Sequence, residues 1–434
     1  MEQVAVSRRI AYLVLRQIDE QSYADSRELV RSTAKSFKAE EADTRLALTI
    51  VMGCLRYRLA LNGIIKNCLE RPNKALLPFV ETILQMVAYQ HYYLDRLPPY
   101  AICNDAVEMV TFEGFGTDNR LKGFVNAVAK KIVSGKQMPL LHDLTEELSF
   151  PTWMIGLFKS RFGETLMTDI LRECNCEPPV TLRVNRLKIS RNDMQQLLIQ
   201  NSISCRVGNH TPDSLILDNS GDLAKIVALS EFRDGYVYFQ DEASQMVSVI
   251  ANPHAGERVL DMCAAPGGKT THLAEVADGK ADIVASDFNE SRLSVLRENV
   301  ERMGASCVRV VPWDVLMAEK KPVFDLVLVD APCSGLGTLR RNPEIKWRIE
   351  YKDLLRLRET QYALLCGAAK YVRDNGRLVY STCSITAQEN IEVIKTFLEK
   401  HSEWTIAKNG EFCSWPEAID MDGFSIFVLT RKAY

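Results

Sequence analysis

The chain has few features of a membrane, secreted or metal-binding protein. None of its apolar runs approaches the roughly 20 residues that a membrane-spanning helix needs. Its 12 cysteines are scattered, without the paired Cys-x-x-Cys spacing of zinc sites, and its 6 histidines form no ligand cluster. Arg8, Arg9 and Arg16, set among isolated apolar residues, predict an N-terminal amphipathic helix rather than a signal peptide. We therefore expect a cytoplasmic protein with mostly inert, reduced cysteines and no metal site.

The chain also lacks an excess of charge, since its 434 residues carry a net charge of −3 at pH 7. The charge is unevenly distributed, however. Residues 120–142 hold five Lys/Arg and no acid, residues 182–192 hold four and no acid, and residues 340–358 hold seven against three acids. One such run is most often a solvated face, but three on a slightly acidic chain favour a binding track for a polyanion.

The pattern of apolar residues divides the chain into three predicted domains. Residues 1–142 show helical periodicity almost throughout and predict an all-α domain. Residues 143–240 mix helical stretches with short β-branched runs and predict a small α+β module with an antiparallel sheet. Residues 241–434 alternate strands and helices, which predicts a doubly wound, Rossmann-like parallel sheet with an antiparallel strand near its end. The first apolar stripe consists of Ile10, Leu13, Val14 and Ile18.

The predicted strands are short runs of apolar and β-branched residues between turn signals. In the small module they are residues 180–184, 214–217 and 236–239. In the last domain they are residues 258–260, 283–286, 308–311, 324–329, 378–380 and 425–430.

A Gly-rich loop joins the first strand of the last domain to a helix. Its Gly267-Gly268-Lys269 sequence exposes backbone N–H groups at a helix start, where an anionic group is favoured. It is neither a P-loop nor a dinucleotide Gly-x-Gly-x-x-Gly motif, because the spacings differ. A glycine pair alone is usually only a turn.

One aspartate follows each of three successive predicted strands after this loop. Asp287 lies about 20 residues beyond the loop, where a carboxylate can bind both hydroxyls of a ribose. Asp314 could accept from an adenine amino group, and Asp330 ends the next strand. Each of these acids alone is more often a cap or turn residue. Together they favour a cofactor that carries adenosine, with Lys269 paired to a carboxylate on it.

Two cysteines follow apolar strands whose carboxyl ends should meet at one crevice. Cys333 lies in Asp330-Ala-Pro-Cys-Ser-Gly335 and Cys383 in Ser381-Thr-Cys-Ser384. Two thiols beside a cofactor loop indicate covalent chemistry on a bound substrate. The chemistry alone leaves open which of the two thiols attacks.

These motifs together resemble those of the S-adenosylmethionine-dependent RNA cytosine-5 methyltransferases. Among them, the chain is similar to the bacterial enzymes that modify small-subunit rRNA and carry a NusB-type RNA-binding domain. The matching catalytic segments are Cys263-Ala-Ala-Pro-Gly-Gly-Lys269, Asp330-Ala-Pro-Cys-Ser-Gly335 and Thr382-Cys-Ser384. The matching outer segments are Ala106–Glu108, Phe124–Val128, Leu182–Arg186, Phe239–Asp241, Arg340–Trp347 and Asp422–Phe424.

The resemblance implies a cytosine-5 methyltransferase that acts on 16S rRNA as a monomer, with S-adenosylmethionine as its cofactor. It assigns attack on the base to Cys383, assistance in release to Cys333 and stabilisation of the adduct to Asp330. The cofactor residues are Cys263, Ala264, Ala265, Pro266, Gly267, Gly268, Lys269, Asp287, Asp314 and Asp330. For contacts with the RNA backbone we select Arg183, Arg186, Arg340, Arg341 and Lys346.

Two other functions remain open at this point. A methyltransferase for tRNA or another RNA would use the same motifs. A non-catalytic RNA-binding or assembly factor would be consistent with the NusB-like part, but the intact cofactor loop, acids and thiols argue against it.

Overall fold

The computed structural model describes residues 4–20, 25–95, 97–113, 118–141, 143–318, 323–415 and 420–431. The chain forms two compact units, each made of separate stretches of sequence. The first unit contains Met1–Cys176 and Leu339–Ile349, and the second contains Glu177–Thr338 and Glu350–Tyr434. Residues 143–176 therefore pack with the N-terminal helices, whereas the predicted division assigned them to the α+β module. His142, the last residue of the predicted first domain, lies outside the described residues.

The first unit is helical. Asp25, Asp118 and Asp143 begin three of its helices, and each accepts backbone N–H bonds of the first turn. Its helices are α1 (Val6–Glu20), α2 (Ser26–Ser36), α3 (Glu41–Arg56), α4 (Arg58–Cys68), α5 (Pro78–Tyr92), α6 (Pro99–Met109), α7 (Asn119–Ser134), α8 (Leu144–Leu148), α9 (Thr152–Phe162), α10 (Glu164–Glu173) and, from the distant stretch, α18 (Ile345–Arg348).

The amphipathic pattern of α1 explains how this unit obtains its core. Ile10, Val14 and Ile18 are buried against α3 and α5, as their helical spacing predicts. Leu13 differs from the prediction, because 41% of its surface is exposed. The distant stretch joins the same core through Trp347, whose indole N–H donates to the Leu55 carbonyl at 2.7 Å.

The second unit contains a small antiparallel sheet with strand order β2-β3-β1-β4. Its strands are β1 (Thr181–Val184), β2 (Cys205–Val207), β3 (Ser214–Leu217) and β4 (Val237–Phe239). Its helices are α11 (Arg191–Gln200), α12 (Leu223–Ala228), α13 (Ser230–Arg233) and α14 (Glu242–Ala251). The three predicted strands are confirmed, and the edge strand β2 was not predicted.

The larger sheet of this unit has strand order β10-β11-β9-β8-β5-β6-β7. Strands β5 to β9 pair in parallel, and β11 and β10 continue the sheet in antiparallel pairing. The strands are β5 (Arg258–Asp261), β6 (Asp282–Ala285), β7 (Val308–Val310), β8 (Phe324–Asp330), β9 (Val372–Thr382), β10 (Trp404–Cys413) and β11 (Ser425–Arg431). The helices are α15 (Gly268–Val276), α16 (Leu293–Met303), α17 (Trp313–Ala318), α19 (Tyr351–Ala369) and α20 (Ile391–Lys400).

The burial of β8 shows why residues 326–329 of this strand form a continuous apolar run. Leu326 and Leu328 enter one hydrophobic cluster, and Val327 and Val329 enter another. Because both faces of the strand are covered by packed elements, no polar alternation is needed. The predicted parallel sheet with a late antiparallel strand is confirmed, with β10 as an additional strand.

Two further observations concern the described residues as a whole. Within them no single helix is long and apolar enough to cross a membrane, although α3 and α4 meet the length and composition test together across a bend of 81°. No group of three or more His, Cys, Asp or Glu side chains that could hold a metal ion occurs in the same ranges.

Candidate active site

The carboxyl ends of the parallel strands bring the predicted loop, acids and thiols to one edge of the large sheet. The Gly-rich loop follows β5, Asp287 follows β6, and Cys333 and Cys383 follow β8 and β9. The register between β8 and β9 places Asp330 opposite Ser381. This edge is the usual ligand-binding side of a doubly wound sheet.

The loop from Cys263 to Lys269 is held by hydrogen bonds from α16 and from the residue that precedes this helix. Arg292 and Asn299 donate to the carbonyls of Ala265 and Pro266 at 2.6 Å and 2.9 Å. Gly267 has a φ of +107°, and a Cβ there would lie 2.9 Å from the Leu296 side chain. The turn therefore needs glycine. It leads directly into α15, which has no side-chain N-cap in the described structure.

Asp287 is buried, and its carboxylate supports the loop. One oxygen accepts from the Ala265 N–H at 3.0 Å and the other from the Asn289 N–H at 2.9 Å. A carboxylate offers about four lone-pair sites, so capacity remains for a further donor. Asp314 lies at the start of α17 and is exposed.

Lys269 contacts Asp330 across the edge of the sheet. Its Nζ lies 2.6 Å from one oxygen of Asp330, and the Ser381 hydroxyl donates to the other oxygen at 2.8 Å. Burial disfavours the ammonium, but the attraction and hydrogen bond of Asp330 outweigh this effect and raise the pKa of Lys269. The predicted partner of Lys269 was a cofactor carboxylate, whereas its partner in the structure is a protein carboxylate.

The two thiols are in contact. The Sγ atoms of Cys333 and Cys383 lie 3.0 Å apart, and both side chains are partly exposed. The hydrogen bond between the two thiols and the burial of Cys333 raise the pKa of Cys333 well above its ordinary value. Burial also raises the pKa of Cys263 well above its ordinary value. The two predicted catalytic thiols therefore lie side by side, and Cys333 stays protonated at neutral pH.

Two carboxylates at this edge were missed by the sequence interpretation. Asp261, at the end of β5, accepts from the Thr270 hydroxyl at 2.7 Å, and burial raises its pKa to about 7. The rule that selected the other strand-end acids could have identified it. Glu389 accepts hydrogen bonds from Ser334 and Ser384, which follow the two cysteines. No sequence signal indicates this role, because it depends on how the loops fold together.

Three residues selected for RNA contacts are buried, in contrast to the expectation. Arg183 is fully buried beside Glu275, with 2.8 Å between Nη2 and Oε1. Arg340 lies 3.3 Å from Glu173 within the first unit. Lys346 donates to two backbone carbonyls and to Asn175 there, so these three cations act inside the protein.

The other two selected cations are accessible. The side chain of Arg186 is 43% exposed, and its guanidinium lies 3.6 Å from Asp278. Arg341 is partly exposed, and its carbonyl accepts a bond from Arg27 at 2.8 Å. An RNA contact at these two positions stays a prediction.

The chain matches three protein families over successive stretches. Residues 248–424 match the 16S rRNA methyltransferase RsmB/F family. Residues 150–224 match the ferredoxin-like domain of RsmF/B-like methyltransferases, and residues 5–134 match the NusB family. The predicted combination of a NusB-like helical domain, a small α+β module and a Rossmann-like methyltransferase domain is thereby confirmed.

Curated relatives are similar to the chain over most of its length. It is 33% identical over 405 residues to the probable ribosomal RNA small subunit methyltransferase B of Synechocystis sp., covering 92% of this chain and 90% of the relative. It is 30% identical over 437 residues to the probable enzyme of the same name from Bacillus subtilis, covering 95% and 96%.

Solved structures share the fold. The crystal structure of PH0851 has a TM-score of 0.80 at 26% identity and covers 98% of both chains. NSun6 from Pyrococcus horikoshii, solved with SFG, has a TM-score of 0.58 at 22% identity and covers 66% of this chain and 99% of its own.

Proposed function

Because the chain belongs to the 16S rRNA methyltransferase RsmB/F family, we propose that it methylates carbon 5 of a cytidine in 16S rRNA through a covalent cysteine–cytosine adduct. The methyl donor is S-adenosylmethionine. The observation that carries the proposal is the contact of Cys333 and Cys383, with 3.0 Å between their Sγ atoms. These thiols follow adjacent strands, the first of which ends in Asp330.

The residues around the loop fit the proposed cofactor. S-adenosylmethionine supplies an electrophilic methyl group on a positively charged sulfur. The start of α15, without a side-chain cap in the described structure, offers N–H groups to its carboxylate. Asp287 has free lone pairs for ribose hydroxyls, and the exposed Asp314 is the proposed acceptor for the adenine amino group. NSun6, which shares the fold, was solved with SFG, an analogue of S-adenosylmethionine.

The chemistry of cytosine explains why a thiol is needed. Carbon 5 is a weak nucleophile until a group adds at carbon 6. The Cys383 thiolate forms a bond to carbon 6, which moves an electron pair toward carbon 5 and makes it an enamine carbon. After carbon 5 has taken the methyl group, a base removes its proton and the released electron pair expels the Cys383 thiolate.

The electrostatics of the thiol pair support this division of roles. The hydrogen bond to Cys383 and burial raise the pKa of Cys333 well above its ordinary value, which makes Cys333 a weaker candidate for the attacking thiolate. The Lys269 ammonium lies close enough to Cys383 for the two groups to interact electrostatically. Asp330, fixed by Lys269 and Ser381, presents its carboxylate to the amino edge of the ring.

An adduct assay with purified variants tests the proposal. We expect Cys383→Ala to lose both methyl transfer and covalent capture of RNA that contains 5-fluorocytosine, because fluorine cannot leave as a proton does. Cys333→Ala should methylate once and then accumulate a protein–RNA adduct with ordinary RNA, visible as a shifted band on a denaturing gel. Cys176→Ala serves as the control, because this exposed thiol belongs to the other unit.

The substrate is 16S rRNA from a strain that lacks the gene, and bisulfite sequencing locates the product. If Cys383→Ala accumulates the adduct and Cys333→Ala forms none, the roles of the thiols are reversed. If tRNA but not 16S rRNA gains 5-methylcytidine, the proposed substrate is wrong. We also propose that the enzyme works in the cytoplasm, where it would meet its rRNA substrate. We propose that it acts as a monomer.

A further inference from the structure

A buried carboxylate outside the proposed reaction connects the two cysteine loops. Glu389 lies between β9 and α20, and none of its surface is exposed. The proposed chemistry gives it no role at the substrate. A carboxylate is buried at high cost unless several donors compensate it. The donors around Glu389 therefore show what it stabilises.

The contacts of Glu389 are shared between the two loops. One oxygen accepts from the Ser334 N–H at 2.7 Å, and the other from the Ser334 hydroxyl at 2.5 Å. This second oxygen also accepts from the Ser384 hydroxyl at 2.6 Å and the Thr386 hydroxyl at 3.0 Å. Ser334 follows Cys333 and Ser384 follows Cys383, so one carboxylate binds the residue next to each thiol.

Gln361 of α19 strengthens the same connection. Its amide nitrogen donates to Glu389 at 3.1 Å and to the Pro332 carbonyl, next to Cys333, at 3.0 Å. The loops are also joined directly, by the Gly337 N–H that donates to the Cys383 carbonyl at 2.9 Å and by the Ser334 hydroxyl that donates to the Ser384 hydroxyl at 3.3 Å. Both of these serines make shorter bonds to Glu389, at 2.5 Å and 2.6 Å. Most of the side-chain control of the distance between the thiols therefore depends on Glu389.

We propose that Glu389 is a positioning residue that holds Cys333 and Cys383 in contact, so that both thiols meet the same base. This inference rests on the proposed function, because the contact matters if one thiol attacks the ring and the other assists release. The role needs geometry rather than contact with the substrate. A misplacement of about 1 Å between reacting groups lowers rates by about a hundredfold.

Chemical bridging of the thiols tests this position without RNA or cofactor. Dibromobimane forms two C–S bonds, with loss of two bromide ions and two protons, only when two thiols lie within a few ångströms. The tryptic peptides 321–340 and 378–395 hold one cysteine each, so the bridged pair is identified by mass. We expect Glu389→Ala to lower the bridging rate by at least about tenfold.

Three further variants show whether the charge of Glu389 matters, whether any loss is general damage, and whether the linked peptides are the expected pair. Glu389→Gln should keep most of the bridging, because serine and threonine hydroxyls can both donate and accept and can turn toward an amide. Glu392→Gln is the matched control, since this carboxylate lies one turn further on, is 39% exposed and pairs with Arg358. It should bridge at the normal rate. Cys333→Ala should give no linked peptide pair.

Steady-state kinetics show whether the position matters for catalysis. For Glu389→Ala we expect kcat to fall by more than tenfold, while KM for RNA and Kd for S-adenosylmethionine change less than twofold. A general structural defect would alter all three. If Glu389→Ala does not fold, the double variant Ser334→Ala and Ser384→Ala removes the serine hydroxyl bonds to Glu389 and the direct bond between the two serines, while the Ser334 N–H bond to Glu389 is retained. A normal bridging rate in this variant would show that the hydroxyl bonds to Glu389 do not hold the thiols in contact.

The outcomes distinguish this inference from the proposed function. Folded Glu389→Ala or double-variant protein that bridges at the normal rate overturns the positioning role. If bridging depends on Glu389 but the unaltered protein methylates no cytidine, the positioning role holds and the proposed reaction is wrong. If the bridging rate and kcat fall together in Glu389→Ala and recover together in Glu389→Gln, the positioning role and the proposed reaction are both supported.

Discussion

Arg183 and Glu275 form an ion pair that is closed to solvent on both sides, with side-chain exposures of 0% and 1%. Arg183 lies on β1 of the small sheet and Glu275 on α15, directly after the Gly-rich loop. The same guanidinium donates to Thr271 at 2.8 Å. The pair therefore fixes the small sheet to the helix that begins at the proposed cofactor site.

We expect Arg183→Ala to destabilise the second unit by about 3–5 kcal/mol, because it leaves Glu275 buried without a partner. Urea denaturation at pH 8 measures this loss. Arg186→Ala is the control, since the exposed pair of Arg186 with Asp278 contributes about 0–1 kcal/mol. A loss for Arg183→Ala no larger than that of the control contradicts a structural role for Arg183.

The same variant should show a distinct pH dependence. Burial raises the pKa of Glu275 from 4.5 to about 7, and Arg183 opposes this rise. An acid whose pKa is raised by folding stabilises the folded protein at pH values below the pKa that the acid has in the unfolded chain. This stabilisation is lost as the pH rises through the pKa that the acid has in the folded protein. Without Arg183 the pKa of Glu275 in the folded protein rises further. The deficit of Arg183→Ala should thus be smaller at pH 5.5 than at pH 8.

The elements of the fold followed from apolar patterning where that patterning is regular. Strand β8 is a long apolar run between two cores, and α1 has a helical stripe, so both were predictable. Strand β10 was missed because Lys408-Asn-Gly410 resembles a turn within it. The structure accommodates this interruption with a register shift between Ile406 and Glu411.

The proposed site was predictable to the extent that strand ends determine it. The positions of Cys333 and Cys383 after adjacent parallel strands follow from topology alone. The partners of Arg183 do not, because Glu275 is 92 residues away in sequence. A local run of cations does not reveal which of them has a buried acceptor.

Lys346 shows how this correction can be tested. Its ammonium donates to the carbonyls of Arg56 and Ser149 and to Asn175, and lies 3.6 Å from the Phe150 ring centroid. Burial lowers its pKa well below the ordinary value. We expect Lys346→Met to lower the melting temperature, since each buried acceptor left unpaired costs about 1–3 kcal/mol.

The same variant should leave the salt dependence of RNA binding unchanged. A lysine that contacts phosphate adds about one to the slope of log affinity against log salt. Filter binding at several salt concentrations measures this slope. A slope reduced by about one, at an unchanged melting temperature, would return Lys346 to the RNA-binding residues.

Asp287 provides a direct test of the proposed cofactor site. We expect Asp287→Ala to weaken S-adenosylmethionine binding about tenfold to a hundredfold, because charge-assisted hydrogen bonds to a ribose are lost. The loop also loses its bond from the Ala265 N–H. Isothermal titration calorimetry measures the affinity. The control is Asp282→Ala, because this exposed aspartate begins β6, the strand that Asp287 follows. If the two variants bind S-adenosylmethionine with equal affinity, Asp287 does not belong to the cofactor site.

The pair of Lys269 with Asp330 predicts how cofactor affinity depends on pH. Burial disfavours the Lys269 ammonium, and Asp330, 2.6 Å away, is the main group that keeps it charged by raising its pKa. In Asp330→Asn this attraction is absent, so the ammonium should lose its proton at a lower pH than in the unaltered protein. If the ammonium attracts the cofactor carboxylate, affinity should then decline at a lower pH too.

Calorimetric titration of S-adenosylmethionine from pH 7 to pH 10 measures the effect without any catalytic step. We expect affinity to be maintained across this range in the unaltered protein and to fall with rising pH in Asp330→Asn. Lys269→Met should bind weakly at every pH, because it carries no proton to lose. If Asp330→Asn and the unaltered protein show the same pH profile, Lys269 serves only to fix Asp330 and does not contact the cofactor.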